Sequence, residues 1–180
     1  RSFDRLMLAP ISLDLLVLAK TVGAVIFGMV NAFIPLLIAA FFLPAPFNVS
    51  FPADLFQLAM FIPSVALALG VTVSFTMIMY VTMFYTTSYG GVRVLLIAAT
   101  AFFTGAVIPL PFFPAPVRSV LELLPFAAMQ NMPLRIYSGN IAGADALKGI
   151  AFQVFWLAAL VAAGRFAMGR ALKKVVVQGG

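Results

Sequence analysis

The chain is organised as long apolar runs that are separated by short polar or proline-rich segments. Charge-free runs cover residues 21–53, 55–92 and 94–117, and another apolar run lies between Lys148 and Arg165. A membrane-spanning helix needs about 20 mostly apolar residues, so these runs are suited to crossing a bilayer. They lack the apolar–polar alternation of transmembrane β-strands, which leaves helices to satisfy the backbone in lipid. The pattern predicts an all-α, polytopic transmembrane helix bundle.

The same pattern predicts one transmembrane domain, residues 1–180, with four spans. The predicted spans are 15–43, 55–85, 94–108 and 145–168. Residues 1–14 carry four charges, and their apolar positions near helical spacing predict a short amphipathic helix at a membrane interface. The alternative is a solvated entry to the first span. Gly90 and Gly91, within TTSYGGVR, predict a tight turn before the third span.

Prolines interrupt the apolar stretch AVIPLPFFPAPVRSVLELLPFAAM, which begins at Ala106. Each proline removes a backbone donor and biases the preceding residue away from helix, so a continuous lipid-facing helix is disfavoured here. We therefore expect residues 109–140 to form a re-entrant hairpin of short helices on the outer side. The alternative is that these helices lie on the outer surface of the bilayer. Arg118 and Glu122 are four residues apart and predict an ion pair on one helix face.

The distribution of Lys and Arg supports this topology. With the N-terminus inside and a hairpin that does not cross, eight cations lie inside and three outside. The predicted inner cations are Arg1, Arg5, Lys20, Arg93, Arg165, Arg170, Lys173 and Lys174, and the outer ones are Arg118, Arg135 and Lys148. If the proline-rich stretch crossed, the split would be six to five and the bias would vanish. The favoured topology places the tail, residues 169–180, in the cytoplasm.

Composition narrows the function classes. Hydrophobic residues make up 64% of the chain and charged residues 9%, far from the make-up of soluble domains. The net charge of +6 comes from scattered cations at the ends of apolar runs, which indicates membrane orientation rather than nucleic-acid binding. The chain has no Cys and no His, so we expect no metal site, no disulfide and no cofactor.

Catalysis is not expected of this chain. None of its five acidic residues lies in the interior of a predicted span, since Asp145 only begins the last one, and no nucleophile and base recur at helical spacing. The central parts of the spans carry no ionisable group, unlike transporters that are driven by protons or sodium. The chain also lacks the phosphate loop G-x-x-x-x-G-K-[ST], so any nucleotide would have to be bound by a partner.

A few polar residues interrupt the predicted spans. The candidates for lining a path through the bundle are Asn31, Thr72, Thr76 and Gln153. The alternative for each is a hydrogen bond within or between helices. Small residues four apart, Ala101 with Gly105, Ala158 with Ala162 and Ala159 with Ala163, would allow helices to pack closely.

Three stretches resemble the permease subunits of type-2 ATP-binding-cassette (ABC) transporters, in particular a bacterial branch that is largely uncharacterised. They are FDRLMLAPISLDLLVLAK near the start, FFTGAVIPLPFFPAPVRSVLELLPFAAM in the middle and ALKKVVVQGG at the end. Members of that family have six spans. The resemblance therefore implies that about two N-terminal spans are missing from this sequence, which opens with Arg1 rather than Met.

The resemblance also implies a function. It predicts a dimeric export channel, as a homodimer or heterodimer, in the bacterial inner membrane, with energy supplied by a separate ABC ATPase subunit. Residues 1–14 would be the cytoplasmic coupling element, with Phe3, Asp4, Arg5 and Leu6 as the contacts to the ATPase. The alternative function is that of a non-transporting membrane scaffold or assembly protein. A neighbouring gene for an ATPase with a phosphate loop would favour the permease.

Overall fold

The computed structural model describes residues 13–45, 51–52, 54–83, 85 and 89–178. The described elements are helices and their connections, and no β-strand occurs among these residues. The α-helices are α1 (Leu13–Phe42), α2 (Leu55–Met83), α3 (Tyr89–Phe103), α4 (Ala115–Leu121), α5 (Met132–Tyr137) and α6 (Ala144–Gln178). A 3₁₀ turn (Leu110–Phe112) precedes α4, and a π-helical segment (Ala127–Asn131) precedes α5. The predicted all-α class is confirmed.

The chain divides into two compact units, Arg1–Val49 and Ser50–Gly180. The first unit contains α1, a helix of 30 residues whose large apolar side chains include the exposed Ile26, Phe27 and Val30. The second unit contains α2 to α6. Residues 1–12 of the predicted coupling element lie outside the described residues.

Two of the described helices are long and apolar enough to cross a membrane. They are α2 and the part of α6 from Ala144 to Ala171, and only 22% of the most apolar window of each is buried. Large apolar side chains therefore remain exposed along both helices, as expected for helices that contact lipid. This finding is coarser than the prediction, because it supports an all-helical membrane fold without confirming four spans.

Helix α3 is shorter than a span requires. Its 15 residues rise about 22 Å, against about 30 Å of hydrocarbon. It begins at Tyr89, so Gly90 and Gly91 lie inside the helix and the prediction of a turn at these glycines is wrong. A glycine in a helix costs only about 1 kcal/mol relative to alanine, which the rest of an apolar helix offsets.

Helices α2 and α6 pack against each other and form the framework of the second unit. A Cβ atom at Gly70 would lie 3.0 Å from Cδ1 of Leu157, and one at Gly164 would lie 3.6 Å from Cγ1 of Ile78. The missing side chain therefore allows a close approach at Gly70, whereas a Cβ at Gly164 would make only an ordinary van der Waals contact. The predicted alanine pairs contribute less to this contact, because three of their four members, Ala158, Ala162 and Ala163, are exposed.

The proline-rich region packs onto α2 and α6 through short elements. Ala128 and Met129 of the π-helical segment join Val71 and Leu160 in one buried cluster. Farther along, Met132 and Ile136 of α5 are buried together with Ala146 of α6. The predicted pair of Arg118 and Glu122 is confirmed at 4.0 Å between Nε and Oε1, on an exposed face where such a pair contributes little to stability.

Candidate functional site

A fully buried polar junction joins the two long helices to the proline-rich region. Gln153 of α6 and Ser64 of α2 both have no exposed surface. The Ser64 hydroxyl donates to Oε1 of Gln153 at 2.8 Å, and Nε2 of Gln153 donates to the Ser64 carbonyl at 3.1 Å. The same Nε2 donates to the carbonyl of Ala128 at 2.9 Å. One side chain thus bonds to two other elements, and its amide is fully paired, as a buried amide requires.

The local sequence explains why the Ala128 carbonyl needs a side-chain donor. Within the π-helical segment the Met132 N–H bonds to the carbonyl of Ala127, five residues earlier. In the same register the Ala128 carbonyl would face the nitrogen of Pro133, which carries no hydrogen. Gln153 supplies the donor that the backbone lacks. The π-helical turn and Pro133 therefore leave the Ala128 carbonyl without a backbone donor, and Gln153 of α6 provides one.

The threonines of α2 bond mainly to their own helix. The Thr72 hydroxyl donates to the Ala68 carbonyl and the Thr76 hydroxyl donates to the Thr72 carbonyl, each at 2.8 Å. The hydroxyl hydrogens are therefore used within the helix, which leaves only oxygen lone pairs to face a neighbouring group.

A groove lies between the C-terminal part of α2 and α3. Its volume is about 340 Å³, at the lower end of the range of ligand pockets. Thr76 and Tyr80 of α2 and Arg93 and Thr100 of α3 supply its polar lining. The remaining lining residues are apolar: Met79, Met83, Ile97 and Ala101. The groove therefore combines one cation with an apolar wall.

The structure distributes the predicted path residues over different surroundings. Asn31 is an exposed residue of α1. Thr76 lines the groove, whereas Gln153 is enclosed in the junction and Thr72 is half-buried. The contacts predicted for the ATPase, Phe3, Asp4, Arg5 and Leu6, lie outside the described residues.

Sequence reasoning missed Ser64 and the role of Arg93 in the groove. Ser64 follows Pro63 in an apolar run, and a hydroxyl at such a position carries no pattern that identifies a partner 89 residues away. The sequence pattern identifies Arg93 only as one of the predicted inner cations. Its position opposite Thr76 and Tyr80 follows only from the way α2 and α3 pack.

The described residues form an all-helical fold with two helices that are long and apolar enough to cross a membrane. A family model described as ABC-2 family transporter protein matches residues 2–179. The chain therefore belongs to the ABC-2 transporter family, which confirms the resemblance seen in the sequence. Neither the comparison with curated proteins nor that with solved structures gave a match.

Membership of this family gives the chain its general role. It is a membrane permease of an ABC transporter, and permeases of this family are transport subunits rather than enzymes. The family also implies association with an ABC ATPase.

Proposed function

We propose that this chain is the membrane-spanning permease subunit of an ABC exporter and that it couples to a separate ATPase subunit. The family match over residues 2–179 carries the proposal. In it, two permease subunits form the translocation path in the bacterial inner membrane, with the C-terminus in the cytoplasm. The subunits form either a homodimer or a heterodimer.

Residues 1–14 form the coupling element in this proposal. An amphipathic helix here would place Phe3 and Leu6 in an apolar groove of the ATPase, while Asp4 and Arg5 fix the register through charge. Nucleotide binding and hydrolysis in the partner would then drive the permease between two arrangements that face opposite sides of the membrane.

The depth of the polar junction supports a re-entrant hairpin. Ser64 follows the start of α2 by nine residues and Gln153 follows the start of α6 by nine residues, or about 13 Å along each helix. If both helices begin at the outer edge of the hydrocarbon, Ala128 lies about 13 Å deep, close to the bilayer midplane at about 15 Å. The proline-rich region would then enter the membrane between α2 and α6 and leave on the same side.

In this proposal Asn31, Thr72 and Thr76 line the translocation path. Gln153 joins them only in a second conformation of the permease. With all its amide atoms bonded in the junction, Gln153 is closed to a substrate here. Its participation requires that the junction open. An opening would separate the hairpin from α2 and α6, which is the kind of movement that alternating access needs.

The coupling proposal is tested by co-purification of the full-length protein with the ATPase of its gene neighbourhood in mild detergent. The variant with Phe3→Ala and Arg5→Glu should lose the ATPase, because both the apolar anchor and the charge that sets the register are removed. The matched control is the variant with Phe112→Ala and Lys148→Glu. It likewise replaces one phenylalanine by alanine and one cation by glutamate, at exposed positions on the predicted outer face.

Loss of the ATPase from the first variant alone supports coupling through residues 1–14. Equal recovery from both variants contradicts that assignment. Failure of the wild-type protein to retain any ATPase argues against the energy-coupled permease itself.

A further inference from the structure

The groove between α2 and α3 carries a cation that has no acidic partner among the residues that the structure describes. The two ion pairs in this part of the chain are Arg118 with Glu122 and Lys148 with Asp145, and neither includes Arg93. Arg93 is exposed, and the structure gives no hydrogen-bond acceptor for it within the described ranges. A guanidinium with five N–H donors therefore borders a groove whose remaining lining is half apolar.

The donors in the groove favour an anionic group. The hydroxyl hydrogens of Thr76 and Thr100 are used by the carbonyls of Thr72 and Leu96, at 2.8 and 2.7 Å. The polar hydrogens left for a ligand belong to Arg93 and to the phenol of Tyr80. Both suit a phosphate oxygen, and guanidinium–phosphate contacts are short and often bidentate.

The apolar part of the groove favours a ligand that has an apolar chain as well as an anionic group. Met79, Met83, Ile97 and Ala101 line it, and Arg93 to Ala101 spans about 12 Å of α3. An inorganic anion would leave this wall uncovered, whereas an acyl chain would cover it and gain free energy from burial. Methionine side chains adapt readily to the irregular shape of such a chain.

The surroundings of the groove point to the bilayer as the source of the ligand. Val94 and Leu95 beside Arg93 are 68% and 69% exposed, and Ile97 is 51% exposed. On the predicted topology this end of α2 and α3 faces the cytoplasmic leaflet, where anionic lipids concentrate.

We propose that the groove between α2 and α3 binds an anionic phospholipid of the bilayer, with its phosphate at Arg93 and Tyr80 and an acyl chain along Met79, Met83 and Ile97. The lipid is a resident ligand of the permease. The proposal depends on the membrane location of the chain and is independent of coupling to an ATPase.

The test is native mass spectrometry of the full-length protein in detergent with added phosphatidylglycerol or phosphatidylcholine. The wild type should bind phosphatidylglycerol more tightly. Arg93→Gln should weaken that binding about tenfold, the effect of losing one charge-assisted contact of about 1.4 kcal/mol. Arg165→Gln is the matched control, because it removes an exposed arginine at the same predicted side of the membrane and outside the groove.

A second variant, Ala101→Phe, keeps Arg93 and fills the groove, and it should also weaken binding of phosphatidylglycerol. The thermal midpoint of each variant in the same detergent reports whether it keeps its fold. Equal weakening by Arg93→Gln and Arg165→Gln would show a nonspecific charge effect and overturn the proposal. Displacement of phosphatidylglycerol by inorganic phosphate, or a dimer that dissociates in Arg93→Gln without a change in lipid binding, would also overturn it.

Discussion

Gln153 uses both ends of its side-chain amide in the centre of the second unit. Its oxygen accepts from the Ser64 hydroxyl, and its nitrogen donates to the carbonyls of Ser64 and Ala128. A polar side chain in an apolar helix is costly unless it is paired, and here all three bonds depend on the fold. The residue therefore stabilises one arrangement of three chain segments rather than its own helix.

Gln153→Leu should lower the free energy of unfolding by about 2 kcal/mol. Three hydrogen bonds worth about 0.6 to 1 kcal/mol each are lost, and the Ala128 carbonyl is left without a donor. The measurement is the change in thermal or denaturant midpoint of the purified protein in detergent. Gln130→Leu is the control, because it makes the same change at an exposed position of the π-helical segment.

Pro133→Ala provides a mechanistic check of that prediction. It restores an N–H at position 133, which can bond to the Ala128 carbonyl in the π-helical register. In this background the cost of Gln153→Leu should fall by about 1 kcal/mol. An unchanged cost would mean that the orphan carbonyl is not what makes Gln153 important.

Among the elements, α6 contains two glycines that affect packing differently. A Cβ at Gly149 would lie 2.5 Å from Sδ of Met132 on α5, whereas a Cβ at Gly169 would meet nothing within 4 Å. Gly149 therefore allows α5 to pack against α6. Gly169 has no such contact and only lowers the helix propensity.

Alanine at these two positions should change stability in opposite directions. Gly149→Ala should destabilise the protein by about 1 kcal/mol, because overpacking against Met132 outweighs the gain in propensity. Gly169→Ala should stabilise it by up to about 1 kcal/mol. Thermal midpoints of both variants in detergent check the prediction, and two shifts of the same sign would contradict it.

For the whole molecule, the main question is how the second unit is threaded through the bilayer. The eight-to-three distribution of cations favours a hairpin that returns to the outer side. The depth of the junction, which assumes that topology, places the inner end of the hairpin near the bilayer midplane. These 180 residues contain no cysteine, so each thiol introduced here is the only one in this part of the protein, and single-cysteine labelling tests the topology directly.

Ser119→Cys and Ser138→Cys should both react with a membrane-impermeant maleimide in intact cells, because both exposed positions lie outside in the proposed topology. Lys173→Cys should react only after permeabilisation. If the proline-rich stretch crosses the membrane, Ser119→Cys still reacts from outside but Ser138→Cys does not, and Lys173→Cys reacts in intact cells. The three variants therefore separate the two topologies.

The all-helical membrane fold could be predicted from the residues alone. Apolar runs longer than a bilayer requires predict membrane helices because a backbone in lipid must bond within its own segment. The ion pair of Arg118 and Glu122 was also predictable, since four-residue spacing on a helix fixes its geometry. The turn predicted at Gly90 was wrong, because propensity at two residues is weaker than the tendency of a long apolar segment to remain helical.

The sequence alone determines that this protein is helical, that it lies in a membrane and which family it resembles, because these follow from hydropathy, spacing and local motifs. The tertiary structure alone decides which polar residues meet. Gln153 could have faced a path or a neighbouring helix, and only the packing of α2, α6 and the π-helical segment brings it to Ser64 and Ala128. Arg93 likewise becomes part of a groove only when α3 lies against α2. The packing of whole helices brings together hydrogen-bond partners that are 25 to 89 residues apart in the sequence, and no local sequence pattern encodes such a pairing.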